Sequence, residues 1–178
     1  RLQALRGEVV ATLRSAGHEI SLVNGGGTGS LESTRSDPSV TELTAGSGFF
    51  SPALFDGYQG FRHAPAAGFA LPVVRRPRPN IVTCHGGGYI ASGAAGEDRL
   101  PVPTLPPGGA LLPLEGAGEV QTPVRFERPP GLALGEPVFF RHAKAGELCE
   151  RFSKLALIDG TEVVDEVSTY RGEGWCFL

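Results

Sequence analysis

Two short stretches carry residue types suited to holding an anion. The segment "SLVNGGGTGS", residues 21–30, runs from apolar residues into Gly25, Gly26 and Gly27. The segment "TELTAGSGFF", residues 41–50, repeats the event with Gly46, Ser47 and Gly48. Glycine at a strand end admits positive φ and lets the backbone approach a ligand closely. Successive N–H groups in such a loop form an anion-binding nest. Thr28, Ser30 and Ser47 add hydroxyl donors. Gly26, Gly27, Thr28, Gly46, Ser47 and Gly48 are therefore the candidate phosphate-site residues. Ordinary strand-to-loop turns are the competing reading in a chain with 26 glycines. The pattern is neither a Walker motif, because no lysine follows at the required place, nor a dinucleotide fingerprint, whose glycine spacing differs.

Other candidates are scattered. Tyr58 follows the second glycine loop and would lie over a bound ligand or pack in a core. Cys84 and His85 precede "GGGY", which ends in Tyr89. Neighbours in a strand point to opposite faces, so the two cannot form a dyad there. His85 and Tyr89 are candidates to face a site, and Cys84 reads as a packed strand residue. The rival reading of Cys84 is the nucleophile of a cysteine hydrolase, with activity that alkylation destroys and no cofactor. His142 and Cys149, in "HAKAGELC", are residue types that ligate zinc. A satisfied polar turn competes with that reading, with Lys144 as a carboxylate binder or a surface charge. Asp159, Glu162 and Asp165 read as solvated turn carboxylates, and Trp175 and Phe177 as packing anchors.

Composition narrows the function classes. The chain has 178 residues, enough for one full domain or two small ones. Hydrophobic residues make up 40% and the formal net charge is -3, which gives no electrostatic case for nucleic acid. No apolar run approaches the roughly 18 residues needed to span a bilayer. The opening "RLQALRGEVV" is charged and helical, unlike a signal peptide. Three cysteines are too few and too scattered for a disulfide framework, so a reducing, cytoplasmic setting is expected.

The elements that must position these residues follow from periodicity. Residues 1–16 read as an amphipathic helix with Leu2, Leu5, Val9, Val10 and Leu13 on one face, and Gly17 as its stop. "HEISLV" reads as a short buried strand, "VTELTA" as a second, and "SPALFDGY" as a short helix. Two glycine loops after neighbouring parallel strands can converge on one phosphate, as the loops after the last two strands of (β/α)8 barrels do. From about residue 70 the signals are short β runs: "ALPVVRR", "NIVTCH", "VRFE", "PVFFRHA", "KLALID" and "TEVVDEVSTYRG". Proline-glycine stretches such as "RLPVPTLPPGGALLPLEGAG" separate them and read as ordered loops. The expectation is a β-rich second domain with a boundary near 62–70.

The same segments resemble a known family. "GGGTGS" followed by "VTELTAGSGFFSPALFDGY" resembles the fold-type III pyridoxal-phosphate enzymes of the D-threonine aldolase, D-serine dehydratase and amino acid deaminase group. "NIVTCHGGGYIASG" is similar to the family's strand into its β domain. "GEPVFFRHAKAGELCERFSKLALIDGTEVVDEVSTYRG" is similar to its C-terminal segment and matches the deaminase subgroup. The resemblance implies that residues 1–65 are the end of an alanine racemase-like (β/α)8 barrel. Residues 66–178 would be a barrel-like, D-serine dehydratase-like β domain. It implies pyridoxal 5′-phosphate as cofactor, its phosphate held by Gly26, Gly27, Thr28, Gly46, Ser47 and Gly48, with Tyr58 and His85 as candidates for catalysis.

In the family a His and a nearby Cys or Asp bind a divalent metal, zinc or manganese, which places His142 and Cys149 as candidate ligands. Two alignments compete. Anchoring on His142 puts Lys144 where the second ligand belongs; anchoring on "CERFSKL" puts Glu147 where the histidine belongs. The family's Schiff-base lysine has no counterpart, since Lys144 and Lys154 are the only lysines and both fall in the C-terminal segment. The chain thus reads as the C-terminal part of a longer enzyme, inactive alone, that deaminates or cleaves a hydroxy amino acid of D configuration. A small amino acid substrate and a homodimer are the implied partners, the latter because a partial barrel leaves an open sheet edge. A noncatalytic phosphate-ligand or cofactor-binding module, and a racemase-like protein, are the alternative readings.

Overall fold

The computed structural model describes residues 1–175. The chain divides into two compact units, one of Arg1–Phe49 and Phe55–Ala64, the other of Phe50–Leu54 and the residues from Pro65 onward.

The first unit begins with helix α1, Leu2–Ser15. Gly17, at φ 87, ends it. The His18 N–H donates to Leu13 O at 3.1 Å and the Gly17 N–H to Arg14 O at 3.0 Å, the paired bonds of a glycine-terminated helix. Of the apolar face only Val10 is buried. Strand β1 is Asn24–Gly25, helix α2 is Leu31–Arg35 and strand β2 is Glu42–Leu43. β1 and β2 pair in parallel, Asn24 opposite Glu42 and Gly25 opposite Leu43. The expected strands are met only in part: "HEISLV", residues 18–23, forms no strand and is exposed or half-buried, β1 begins directly after it and runs into the first glycine loop, and β2 is the exposed middle of "VTELTA". Arg6 of α1 forms an ion pair with the buried Asp37, which fastens the helix to the turn after α2.

The second unit is built on six strands: β3 (Phe69–Arg78), β4 (Ile81–His85), β5 (Val102–Leu105), β6 (Gly109–Leu111), β7 (Gln121–Phe126) and β8 (Pro137–Arg141). They form one antiparallel sheet in the order β5-β8-β3-β4-β7-β6. The two outermost strands, β5 and β6, return to each other's side, so the sheet is a nearly closed barrel. β3 alternates buried Phe69, Leu71 and Val73 with exposed Ala70 and Pro72, the period-two pattern of a sheet with one face on a core. Val82, Cys84, Val124, Phe126, Val138 and Phe140 complete that core, and Phe69 stacks on Phe140 with ring centroids 5.4 Å apart. Each such side chain contributes about 1.5–3 kcal/mol by leaving water.

β5 and β6 lie within the proline-glycine stretch expected to be loop. Proline is tolerated at sheet edges because no ladder bond is demanded there, and among the described residues β5 pairs only with β8 and β6 only with β7. Helix α3, Ala145–Arg151, replaces the expected polar turn; its buried residues are Ala145, Leu148 and Cys149, one face of a helix. β9 (Lys154–Asp159) and β10 (Glu162–Ser168) form a separate antiparallel hairpin. Trp175, expected as a packing anchor, is 61% exposed. Cys176 and Phe177 lie outside the described residues. Among the described residues no helix is long and apolar enough to cross a membrane.

Candidate functional site

The two glycine loops of the first unit meet. The hydroxyls of Thr28 and Ser47 lie 2.9 Å apart, a hydrogen bond across a separation of 19 residues. Each loop turns at once into a single 3-10 turn, Thr28–Ser30 and Ser47–Phe49. The parallel pairing of β1 and β2 sets the two loops side by side, and the Thr44 N–H donates to Gly25 O at 3.2 Å. Gly26 adopts φ 103, which an L side chain rarely accepts.

The glycines divide into those that pack and those that leave space. A Cβ on Gly29 would lie 2.8 Å from the Tyr58 ring, and one on Gly48 would lie 3.3 Å from Thr28 Oγ1. Glycine at these two positions lets Tyr58 and Thr28 close onto the loops. A Cβ on Gly27 or Gly46 would meet nothing within 4 Å. The backbone there faces open space, the arrangement that lets a ligand approach it. The triplet Gly86–Gly88 of the second unit is the opposite case. A Cβ on Gly87 would come within 2.5 Å of Thr122 Oγ1, and one on Gly88 within 2.8 Å of Glu119 N. That triplet is a packing device.

Tyr58 belongs to a run of rings. Its centroid lies 5.4 Å from that of Phe55 and 5.4 Å from that of Phe61, and Phe61 lies 4.6 Å from His63. His63 Nδ1 is buried without a hydrogen-bond partner. The spacing in "FDGYQGFRH" was the available signal for this cluster, and His63 was not among the residues the motifs singled out.

The second unit separates the remaining candidates. Cys84 is fully buried in the barrel core, and burial pushes its thiol up to about 11. A thiol protonated at neutral pH and sealed from solvent is a poor nucleophile. His85, next to it, is exposed and lies opposite Gln121 of β7. Tyr89 packs against the core, its ring 4.9 Å from Phe69 and 5.3 Å from Phe152. Asp159, Glu162 and Asp165 are exposed on the β9–β10 hairpin.

His142 follows β8 and is 2% exposed, with neither ring nitrogen meeting a hydrogen-bond partner. Burial pushes its pKa down to about 4, against the weaker pull of the Ala67 backbone. Phe50 sits edge-on to its ring at 6.5 Å. Arg141 anchors the same corner. Its Nε donates to Ser51 O at 2.8 Å, and the Ala53 N–H donates to His142 O at 3.0 Å. Ser51, at φ 48, is a non-glycine residue in the left-handed region, held there by these bonds.

The donor set around His142 does not fit a resident metal. Its orphaned nitrogens could serve one coordination bond, but among the described residues no three His, Cys, Asp or Glu side chains converge. Cys149 is buried and its thiol is raised by that burial. Glu147 is already engaged: Oε1 accepts from the Ser92 N–H at 2.8 Å. Burial raises its pKa, yet the bonds from Ser92 win and hold it below the usual range. Lys144 Nζ donates to Ser92 O at 2.7 Å. The Lys144 and Glu147 side chains thus strap the loop after β4 to α3, and the alignments that placed a ligand at either position meet a structural contact instead.

The fold of this chain is similar to that of part of D-threonine aldolase. The crystal structure of D-threonine aldolase from Filomicrobium marinum superposes with a TM-score of 0.81 and 21% sequence identity. The match covers 96% of this chain and 47% of that one, so the chain spans about half the length of this relative. No family model matches the chain. No curated protein matches it either. The resemblance carried by the glycine loops and the C-terminal motif is therefore shown at the level of the fold.

Proposed function

We propose that the chain carries the phosphate cradle and the β domain of a pyridoxal 5′-phosphate enzyme that acts on a hydroxy amino acid of D configuration. The observation that carries this reading is the Thr28–Ser47 hydroxyl contact of 2.9 Å, which joins two glycine loops whose Gly27 and Gly46 face open space. The D-threonine aldolase fold neighbour supports it. In this reading residues 1–65 are the last strands of an alanine racemase-like barrel, and the parallel β1–β2 pair supports that placement.

Pyridoxal 5′-phosphate, when bound, supplies an electron sink that weakens a bond at the amino acid's Cα. The chain's own part is binding. The Gly26–Thr28 and Gly46–Gly48 backbones would approach the phosphate, and the Thr28 and Ser47 hydroxyls would turn from each other to donate to its oxygens. Tyr58, packed on Gly29, would shield one side of the loop from water. Deamination is favoured by the likeness of the segment around His142 to the deaminase subgroup, and cleavage of the Cα–Cβ bond is the outcome the fold neighbour's name favours.

Neither lysine is assigned a covalent role. Lys144 is held by Ser92 and Lys154 by Glu166. The 178 residues alone are proposed to bind cofactor without turnover, and a noncatalytic binding module is the second reading that these engaged lysines favour. Calorimetric titration with pyridoxine 5′-phosphate and with pyridoxine tests the assignment. The phosphate form should bind and the alcohol should not, and Thr28→Val should weaken binding about tenfold, or ~1.4 kcal/mol. Equal affinity for the two, or none for either, would overturn it.

A further inference from the structure

Strand β3 outruns its neighbour β8. Their ladder ends where Pro72 faces Pro137. One further step is bonded: the Val73 N–H donates to Glu136 O at 2.9 Å, and Val73 O accepts from the Gly135 N–H at 2.8 Å. β3 itself runs on to Arg78. Residues 74–78 have β4 on one side and, among the described residues, no strand on the other. An open strand edge is a place where another strand can add.

That stretch is strongly basic. The ladder sets Arg75 opposite Thr83, Arg78 opposite Ile81, and Ile81 opposite Arg125. Val82 and Cys84 lie in the core, so Ile81 and Thr83, which alternate with them, point to the outer face. Paired residues share a face, so Arg75, Arg78 and Arg125 stand together on the outside of the barrel. Arg76 and Arg128 are also exposed. The whole chain carries a net charge of -3, so the cluster is local and not the mark of a basic protein. Among the described residues none of the five arginines forms an ion pair. Arg75 bonds to the neutral Gln121 amide, whose Nε2 donates to Glu115 Oε1 at 3.3 Å. Glu136 is occupied by the Ala133 N–H. A groove of about 830 Å³ opens here, lined by Val74, Arg75, Arg76, Pro77, Thr83 and Leu134. Val74 is 44% and Leu134 65% exposed.

We propose that residues 74–78 bind an extended acidic segment of a partner protein. The segment adds to the sheet beyond the end of β8, its backbone bonded to the open edge of β3. Carboxylates at alternate positions fall on one face of such a strand, and that face is the one that carries Arg75 and Arg78. The methylenes of the acidic side chains would pack on Val74 and Leu134. Opposite charge selects the partner, and main-chain pairing supplies the affinity. The same residues turn other strands away. Pro77 offers no N–H, and the arginines of two copies repel, so the edge does not pair with itself. This inference does not rest on the cofactor assignment.

Fluorescence anisotropy of a labelled heptapeptide of alternating glutamate and threonine, titrated with the 178-residue protein, tests it. The peptide should bind, and its lysine-threonine counterpart should not. Arg75→Ala with Arg78→Ala should raise the dissociation constant at least about tenfold. Two N-methylated forms of the peptide, one for each set of alternate amides, separate strand addition from attraction of charge alone. One set faces β3 and the other faces solvent. One form should therefore lose affinity at least about tenfold, and the other should keep it. Absence of binding, equal binding of the lysine peptide, an unchanged dissociation constant in the arginine variant, or N-methylated forms that both bind or both fail would each overturn the proposal. Inorganic polyphosphate that binds these arginines where the peptide does not would assign the face to a phosphate polyanion and equally overturn it. The N-methylated pair needs no variant, so a misfolded mutant cannot hide the result.

Discussion

Replacing Gly46 and Gly87 by alanine separates a ligand-facing glycine from a packing one. At Gly87 an added Cβ would stand 2.5 Å from Thr122 Oγ1 and 2.6 Å from Leu71 Cδ1, in a backbone held at φ 107. Both neighbours are buried and cannot move aside. Overpacking costs about 1–3 kcal/mol and the left-handed backbone about 1–2 kcal/mol more. Gly87→Ala should therefore lose about 3 kcal/mol, a fall in Tm of roughly 10 °C or more for a domain of this size. At Gly46 the same methyl meets nothing within 4 Å, and φ lies outside the left-handed region. Stability should stay level or rise by about 0.4–1 kcal/mol, because alanine restricts the unfolded chain. The methyl would instead occupy space assigned to the phosphate. Binding of pyridoxine 5′-phosphate should fall at least about tenfold. Thermal denaturation and calorimetric titration of the two variants read both quantities. A Gly46→Ala protein with full affinity would show that the open space at this loop is not used, and a stable Gly87→Ala protein would refute the packing argument.

Three further outcomes follow from burial. Cys84, sealed in the core with its thiol near 11, should resist iodoacetamide in the native protein and label only on unfolding; labelling of its peptide by mass spectrometry under native conditions would contradict the core assignment. His142, pushed down to about 4 by burial, is neutral when folded, whereas the unfolded chain takes up its proton near the ordinary 6.5. Its contribution is whole above about pH 6.5 and is lost as pH falls toward 4, amounting to at most about 3 kcal/mol. His142→Phe should flatten that decline in guanidinium denaturation at pH 5 and pH 7.5, and an unchanged decline would place the acid sensitivity elsewhere. Arg141→Met should strand the Ser51 carbonyl, cost about 1–3 kcal/mol and speed proteolysis within residues 50–54; unaltered cleavage would mean that this bond does not hold the segment.

The parts of this architecture that depend on neighbouring residues were the legible ones. Helix α1 and its Gly17 stop follow from local spacing and are present. The strands with alternating burial, β3 above all, were readable because period two encodes one buried face. β5 and β6 were hidden because Pro103 and the glycines of that stretch mimic a loop, and only the edge position in the finished barrel makes them strands. α3 was hidden by its seven residues and by Gly146. The glycine loops and their convergence could be read from the two strand-to-glycine runs, but the particular pairing of Thr28 with Ser47 is a contact that no local pattern encodes. The engagement of Lys144 and Glu147 by Ser92, which occupies the positions where metal ligands were sought, spans more than 50 residues and was equally out of reach.

The central claim is that one phosphate is held between two glycine loops. Amide chemical shifts of the 15N-labelled protein, followed during titration with pyridoxine 5′-phosphate, test it most directly. The account predicts that the amides of Gly26, Gly27, Thr28, Gly46, Ser47 and Gly48 shift together and saturate with a single dissociation constant. Shifts confined to other residues, or to one loop alone, would contradict it.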